Sequence, residues 1–458
     1  MIASQAPEQI AKPLAKHVFP VGGRIAVARE SDHKWKHVER HASNFGENST
    51  GTRRTLTERR PPKMHLEARI TTPGPKKLLA IDGGGIRGLI AVEFLARIEA
   101  LLRQKFGRPD LVLADYFDYV AGTSTGAIIA TAVSLGFDTT KMRDFYLTGA
   151  RTMLDPANFF VRLARDLGPD NLISKFLSSI GMLASSSMYT QRALAKEIRS
   201  VIGRDGDHDA TLATDKLRTL LLIVMRNATT DSPWPVSNNP RAKYNQRGLD
   251  DCNLDLPLWQ LVRASTAAPV FFPPETIRLG SQQFIFVDGA ITVYQNPAFL
   301  LFLMATLPQY ELRWPAAEDK MLLVSVGTGS DQTANPRLRQ SEMNLLYNVQ
   351  SLPSALIRAA TVEQDLLCRV FGRTRYGQAL DSEVGDLIGN VAPLADKLFS
   401  YMRYDVDLSR QGLDAIGLNR IDEKSVQPFD AAHLDELQTV GKTAASKCIS
   451  VDDFAGFT

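Results

Sequence analysis

Cysteine is scarce in this 458-residue chain: Cys252, Cys368 and Cys448 are the only three, odd in number and far apart. That spacing argues against a disulfide framework or a cysteine-built zinc site, and a reducing cytoplasm is the expected compartment. Long apolar runs are missing too. The longest, Ala298 to Ala305, is too short to cross a bilayer, so any membrane contact is expected to be peripheral. The first residues, Met1-Ile2-Ala3-Ser4-Gln5-Ala6-Pro7-Glu8, lack the charged start and apolar core of a secretory signal. Net charge is only +3, which gives no reason to expect a nucleic-acid partner. Histidine is the most telling shortage. Five of the seven fall at or before His65, and none occurs between His65 and His208.

What is present is the composition of a soluble globular protein, 44% apolar and 22% charged. The charge is unevenly spread. Residues 1–77 hold fifteen Lys and Arg against seven Asp and Glu, a net of +8, which leaves −5 for the remainder. This head shows little apolar periodicity and is broken by Arg59-Arg60-Pro61-Pro62 and Pro73-Gly74-Pro75-Lys76-Lys77. It reads as a basic, poorly structured segment, with electrostatic attachment to anionic lipid or to a partner as the alternative. His33, His37 and His41 would share a helix face, but no cysteine or carboxylate cluster completes a site, and no bound metal is expected. The expected organisation is therefore a head at 1–77, a globular domain at 78–330, and a mainly helical extension at 331–458 that packs on or regulates that domain.

The domain opens with a short buried strand, Lys77 to Asp82, followed by Gly83-Gly84-Gly85-Ile86-Arg87-Gly88. A helix follows from about Leu89 to Lys105, with Glu99 and Arg103 paired four residues apart and Gly107 and Pro109 closing it. Next come a strand at Tyr116 to Ala121, the pentapeptide Gly122-Thr123-Ser124-Thr125-Gly126, and an all-apolar helix at Ala127 to Val133. This order predicts an α/β fold, a mainly parallel sheet between helical layers. Residues 139–203 read as apolar-rich helices, either core or a cap that receives acyl chains. Further strands are expected at Thr219 to Met225, Phe284 to Val287 and Lys320 to Val326, with a small-residue helix beginning near Trp259. Beyond about residue 340 the pattern is mostly helical and includes an amphipathic stretch from Met343 to Phe371.

Strand, G-x-S-x-G, helix is the setting in which a serine becomes a nucleophile: Gly122 and Gly126 let two backbones approach, and the turn lifts Ser124 above the sheet edge. A serine hydroxyl needs a base and donors for the developing oxyanion. Only His208 and His433 follow Ser124, the first in a polar loop and the second near the C-terminus. A triad through His433 is one option. The other base is a carboxylate, Asp288, which ends an apolar strand and precedes Gly289 and Ala290. An apolar flank raises a carboxylate's pKa toward values useful to a base, though Asp-Gly is also ordinary turn chemistry. Consecutive glycines at Gly83, Gly84 and Gly85 expose backbone amides beside a helix start, donors worth about 3 kcal/mol each in a transition state. Arg87 adds a positive charge. The same run, closed by Gly88, also matches G-x-G-x-x-G, but the acidic residue a dinucleotide site needs after its second strand is replaced by the serine turn.

Four motifs in order resemble the patatin-like phospholipases: Asp82 to Gly88, Gly122 to Gly126, Ala264-Ser265-Thr266-Ala267-Ala268-Pro269, and Asp288-Gly289-Ala290. The resemblance covers about residues 78–330. It implies a three-layer patatin-like fold and a Ser124–Asp288 dyad without histidine. It implies an oxyanion site at Gly83, Gly84 and Gly85 with Arg87, and calcium-independent hydrolysis of acyl esters in lipids, with no cofactor. A phospholipid or other acyl-lipid substrate follows from it, and an activating ligand or protein is compatible with it. A non-catalytic lipid- or anion-binding module, or an acyltransferase using the same serine, are the alternatives.

Overall fold

The computed structural model describes residues 63–153, 195–196, 198–199, 210–269, 271–330, 338–428 and 431–458. The chain divides into two compact units, Met1–Glu58 and Arg59–Thr458, and every described residue lies in the second.

One sheet of nine strands organises that unit. Strands β1 (Lys76–Ile81), β2 (Tyr119–Thr123) and β3 (Leu220–Asn227) are parallel neighbours. On the other side of β1 the parallel series continues through β7 (Met321–Val326), β9 (Ser400–Tyr404) and β8 (Arg373–Tyr376). The opposite end is antiparallel: β4 (Ser232–Ser237) and β6 (Gln282–Asp288) both run against β3, and β5 (Glu275–Leu279) pairs with β6.

The central strands are mostly apolar because both faces are covered. In β1, Leu79 and Ile81 enter one core while Leu78 and Ala80 enter the other. The first core is closed by α2 (Gly88–Phe106), α4 (Thr125–Ser134), α6 (Leu258–Ser265) and α10 (Leu434–Cys448). The second is closed by α1 (Lys63–Thr71), α7 (Ala298–Thr306) and the end of α8 (Leu345–Phe371). Short α3 (Leu113–Tyr116), α5 (Thr139–Met153) and α9 (Arg410–Ala415) are further α-helices of this unit. In α2 the expected pair forms, Arg103 to Glu99 at 2.8 Å, and Gly107 ends the helix in the left-handed region at φ 62°.

Two boundaries differ from the sequence reading. The basic head was expected to run to residue 77, but α1 is part of the fold. Arg69 donates to the carbonyls of Phe117 (2.9 Å) and Ala114 and pairs with Asp118, tying α1 to the entry of β2. Beyond 331 the expected helices are present, but so are β8 and β9, so a cut at 330/331 would pass through the sheet. The signal was masked because β9, only five residues long, carries a charge, Arg403, at its fourth position. Of the apolar segment 139–203, α5 is described; most of the remainder lies outside the described residues.

Candidate active site

Ser124 stands where β2 stops and α4 begins. Its φ of 54° is unusual for a residue with a side chain, a cost that the surrounding contacts impose. The glycines on either side are required by close approach. A β-carbon on Gly122 would lie 2.0 Å from the Gly126 carbonyl oxygen, and one on Gly126 would lie 2.2 Å from that of Ile81. Ser265, at the end of α6, pins the turn to β3. Its Oγ accepts from the Ser124 amide at 2.9 Å and donates to the Val224 carbonyl at 2.6 Å.

Strand pairing brings the carboxylate to the serine. β3 offers one edge to β4 along Leu222–Asn227, so its partners β2 and β6 must share the other. β2 holds that edge as far as Thr123, opposite Val224, and then turns away. β6 takes it over at the next position, where Asp288 faces Met225. The Ser124 hydroxyl consequently donates to Asp288 Oδ2 at 2.7 Å, across 164 positions of sequence. The other carboxylate oxygen accepts from the Ala290 amide at 2.8 Å. Asp288 is 1% exposed and Ser124 9%, so the pair sits just beneath the surface. Burial pushes the Asp288 carboxyl up to about 7, against the opposing pull of the Ser124 hydroxyl, the Ala290 amide and the Arg263 charge. Such a group is a useful base near neutral pH.

Two of the seven histidines fall in described elements. His433 precedes α10 and is part-exposed, with Nδ1 3.2 Å from Glu436. His65 lies in α1, and His208 lies outside the described residues.

The glycine loop lies between β1 and α2, with Gly85 at φ 59° and Gly88 as the first residue of α2. Two of its expected donors are already engaged. The Gly83 amide donates to the Gln295 carbonyl at 3.2 Å, and Arg87 Nε donates to the Val426 carbonyl at 2.6 Å. Among the described residues the Gly84 and Gly85 amides meet no backbone acceptor, and amides of this kind can receive an anion. The loop is braced from below: the Gly83 carbonyl accepts from Thr328 Oγ1 at 2.6 Å and from Gln295 Nε2 at 2.8 Å. A dinucleotide would need an acid at the end of β2, and that place is taken by the elbow.

Ser265, Thr328, Gln295, Arg263 and Arg403 had no assigned role from sequence. Ser265 sits inside one of the recognised motifs and was therefore visible. The others reach the site from distant parts of the chain, which no spacing pattern announces.

Residues 79–302 match the family model described as Patatin-like phospholipase. Among curated proteins, Patatin-T5 of Solanum tuberosum is 28% identical over 263 residues, covering 55% of this chain and 60% of its own. Patatin-2-Kuras 1 of the same plant is 26% identical over 294 residues, covering 61% and 70%. The chain thus spans about 60% of the length of the first of these relatives. Among solved structures, VipD from Legionella pneumophila is similar at 14% identity with a TM-score of 0.32, over 80% of this chain and 67% of that one. On its motifs, its sheet and this family match, the chain carries a patatin-like phospholipase domain over residues 79–302.

Proposed function

We propose that the protein is a lipid acyl hydrolase of phospholipase A or lysophospholipase type, working through Ser124 and Asp288. The observation that carries this reading is the buried 2.7 Å hydrogen bond from Ser124 Oγ to Asp288 Oδ2. As Ser124 Oγ forms a bond to the ester carbonyl carbon, its proton passes to Asp288. The developing oxyanion is received by the Gly84 and Gly85 amides and by the positive end of α4. The C–O bond to the alcohol then breaks, and Asp288 returns its proton to the departing oxygen. Water attacks the acyl-enzyme while Asp288 takes its proton, and that proton is finally passed back to Ser124 Oγ. Asp288 thus serves both half-reactions, and each half leaves the carboxylate as it began.

The substrate class, an acyl ester of a phospholipid or related lipid, is supported by the family match. Peripheral contact with a lipid surface suits such a substrate, and among the described residues no helix is long and apolar enough to cross a membrane. In this scheme charge is handled by amides and a carboxylate, so the reaction is proposed to need no calcium: a chelator should leave turnover unchanged. Whether an added ligand or protein raises the rate is measured in the same assay.

The test is labelling by a fluorophosphonate probe together with hydrolysis of p-nitrophenyl butyrate. The wild type should label at Ser124, and Ser124→Ala should neither label nor turn over. A folded wild type that never labels would overturn the proposal. If added alcohol or lysolipid captures the acyl group in preference to water, the enzyme is a transferase using the same serine.

A further inference from the structure

The glycine loop is held from outside the matched domain. Asp82, the residue before Gly83, is buried and accepts two parallel hydrogen bonds from Arg403 of β9. Nη1 donates to Oδ1 at 2.9 Å and Nη2 to Oδ2 at 2.6 Å. Arg403 is itself 4% exposed, and it also donates to Ser325 Oγ at 2.8 Å and Asp405 Oδ2 at 2.8 Å. Asp405 in turn accepts from the Gly329 amide at 2.9 Å, next to the Thr328 that braces Gly83. On the far side of the loop, the Ile86 amide donates to the Pro428 carbonyl at 2.8 Å and Arg87 Nε to the Val426 carbonyl. Contacts from the C-terminal part, residues 403–428, therefore grip both ends of Gly83–Gly85.

We infer that Arg403 is a positioning residue for the oxyanion loop, so that a C-terminal strand outside residues 79–302 completes the site. The inference rests on the acyl-hydrolase reading above. Its physical basis is the fork geometry of the guanidinium. Two parallel bonds fix both the position and the rotation of the Asp82 carboxylate, and through it the plane of the peptide that leads into Gly83 and Gly84. A single-point contact would fix position alone. Amides aimed at a transition-state oxygen lose their value when misplaced by fractions of an ångström, whereas ground-state binding of the acyl chain does not depend on them.

Arg403→Lys keeps the charge opposite Asp82 but loses the fork. In the full chain, we expect kcat per active site to fall by about 10- to 100-fold with KM changed by less than about threefold. Active sites are counted by end-point fluorophosphonate labelling, so a loss of folded protein does not mimic the effect. The inhibition constant of a trifluoromethyl ketone, which forms a tetrahedral oxyanion on Ser124, should rise in parallel with the loss of kcat/KM. The double variant Asp82→Asn/Arg403→Gln removes both charges together, which avoids leaving one buried ion uncompensated, and should give the same split. A purely structural Arg403 predicts a lower melting temperature and fewer labelled sites, with kcat per site and the ketone constant at wild-type values. That result overturns the inference. Ser124→Ala, run alongside, separates the two claims: if it keeps activity the hydrolase reading fails, and if it is dead while both Arg403 variants are fully active, only the positioning claim fails.

Discussion

Two buried aspartates flank the elbow, alike in burial and unlike in company. Asp288 ends β6 and Asp82 follows β1, and burial pushes each carboxyl up to about 7. Asp288 faces a neutral hydroxyl, and the Arg263 charge acts on it only through space. Asp82 is gripped by both terminal nitrogens of Arg403. A hydroxyl can surrender a proton to its partner; a guanidinium at neutral pH cannot. On the proposed mechanism, the same residue type at the end of a strand is a base in one place and an anchor in the other, and the partner decides which.

The largest test of that contrast is a pair of identical substitutions. Asp288→Asn should lower kcat/KM by about 10⁴-fold, because the proton acceptor itself is removed. Asp82→Asn should cost about 10²-fold, the scale of a misplaced donor. Equal losses would erase the distinction.

A second test concerns stability. A carboxyl raised to about 7 holds a proton in the folded state over a range where the unfolded chain, with its ordinary value near 3.9, has lost it. The folded state then binds more protons, so stability falls as pH rises through that window and the full cost is present above it. Asp288→Asn carries no such cost. Its unfolding free energy should match the wild type near pH 4 and exceed it at pH 8, by up to about 4 kcal/mol for the full shift. A variant less stable at pH 8 than at pH 4 relative to wild type would contradict this sign.

The smallest effect is in the rate profile. If Asp288 must be ionised to act, kcat/KM should fall about tenfold per pH unit below about 7 and level off above it. Burial raises the Asp82 carboxyl as well, so Asp82→Asn is the control, and its profile should keep the acid limb. Its loss in that variant would reassign the titration to the anchor.

The matched domain was far more legible in the sequence than the C-terminal part. Ser124 and Asp288 were visible because each ends an apolar run at a glycine, and the lack of histidines narrowed the choice of base. The elbow glycines follow from chain crossings that only glycine permits. What stayed hidden was handed over by topology. Nothing in the spacing of Thr123 and Asp288 says that β6 takes over the edge of β3 at the position where β2 turns away. Arg403 was hidden for a different reason. A charge within Ser400-Tyr401-Met402-Arg403-Tyr404 argues locally against a buried strand, and only its partner, 321 positions earlier, makes the burial tolerable. The donor roles expected of Gly83 and Arg87 also depended on knowing what already occupied them.

The central claim is that Ser124 depends on one carboxylate and no histidine. Its most direct measurement is the rate of fluorophosphonate labelling of Ser124 in three full-length proteins: wild type, Asp288→Asn and His433→Ala. The account predicts that labelling is lost in Asp288→Asn and unchanged in His433→Ala. Labelling that survives in Asp288→Asn and disappears in His433→Ala would contradict it and put a histidine triad in its place.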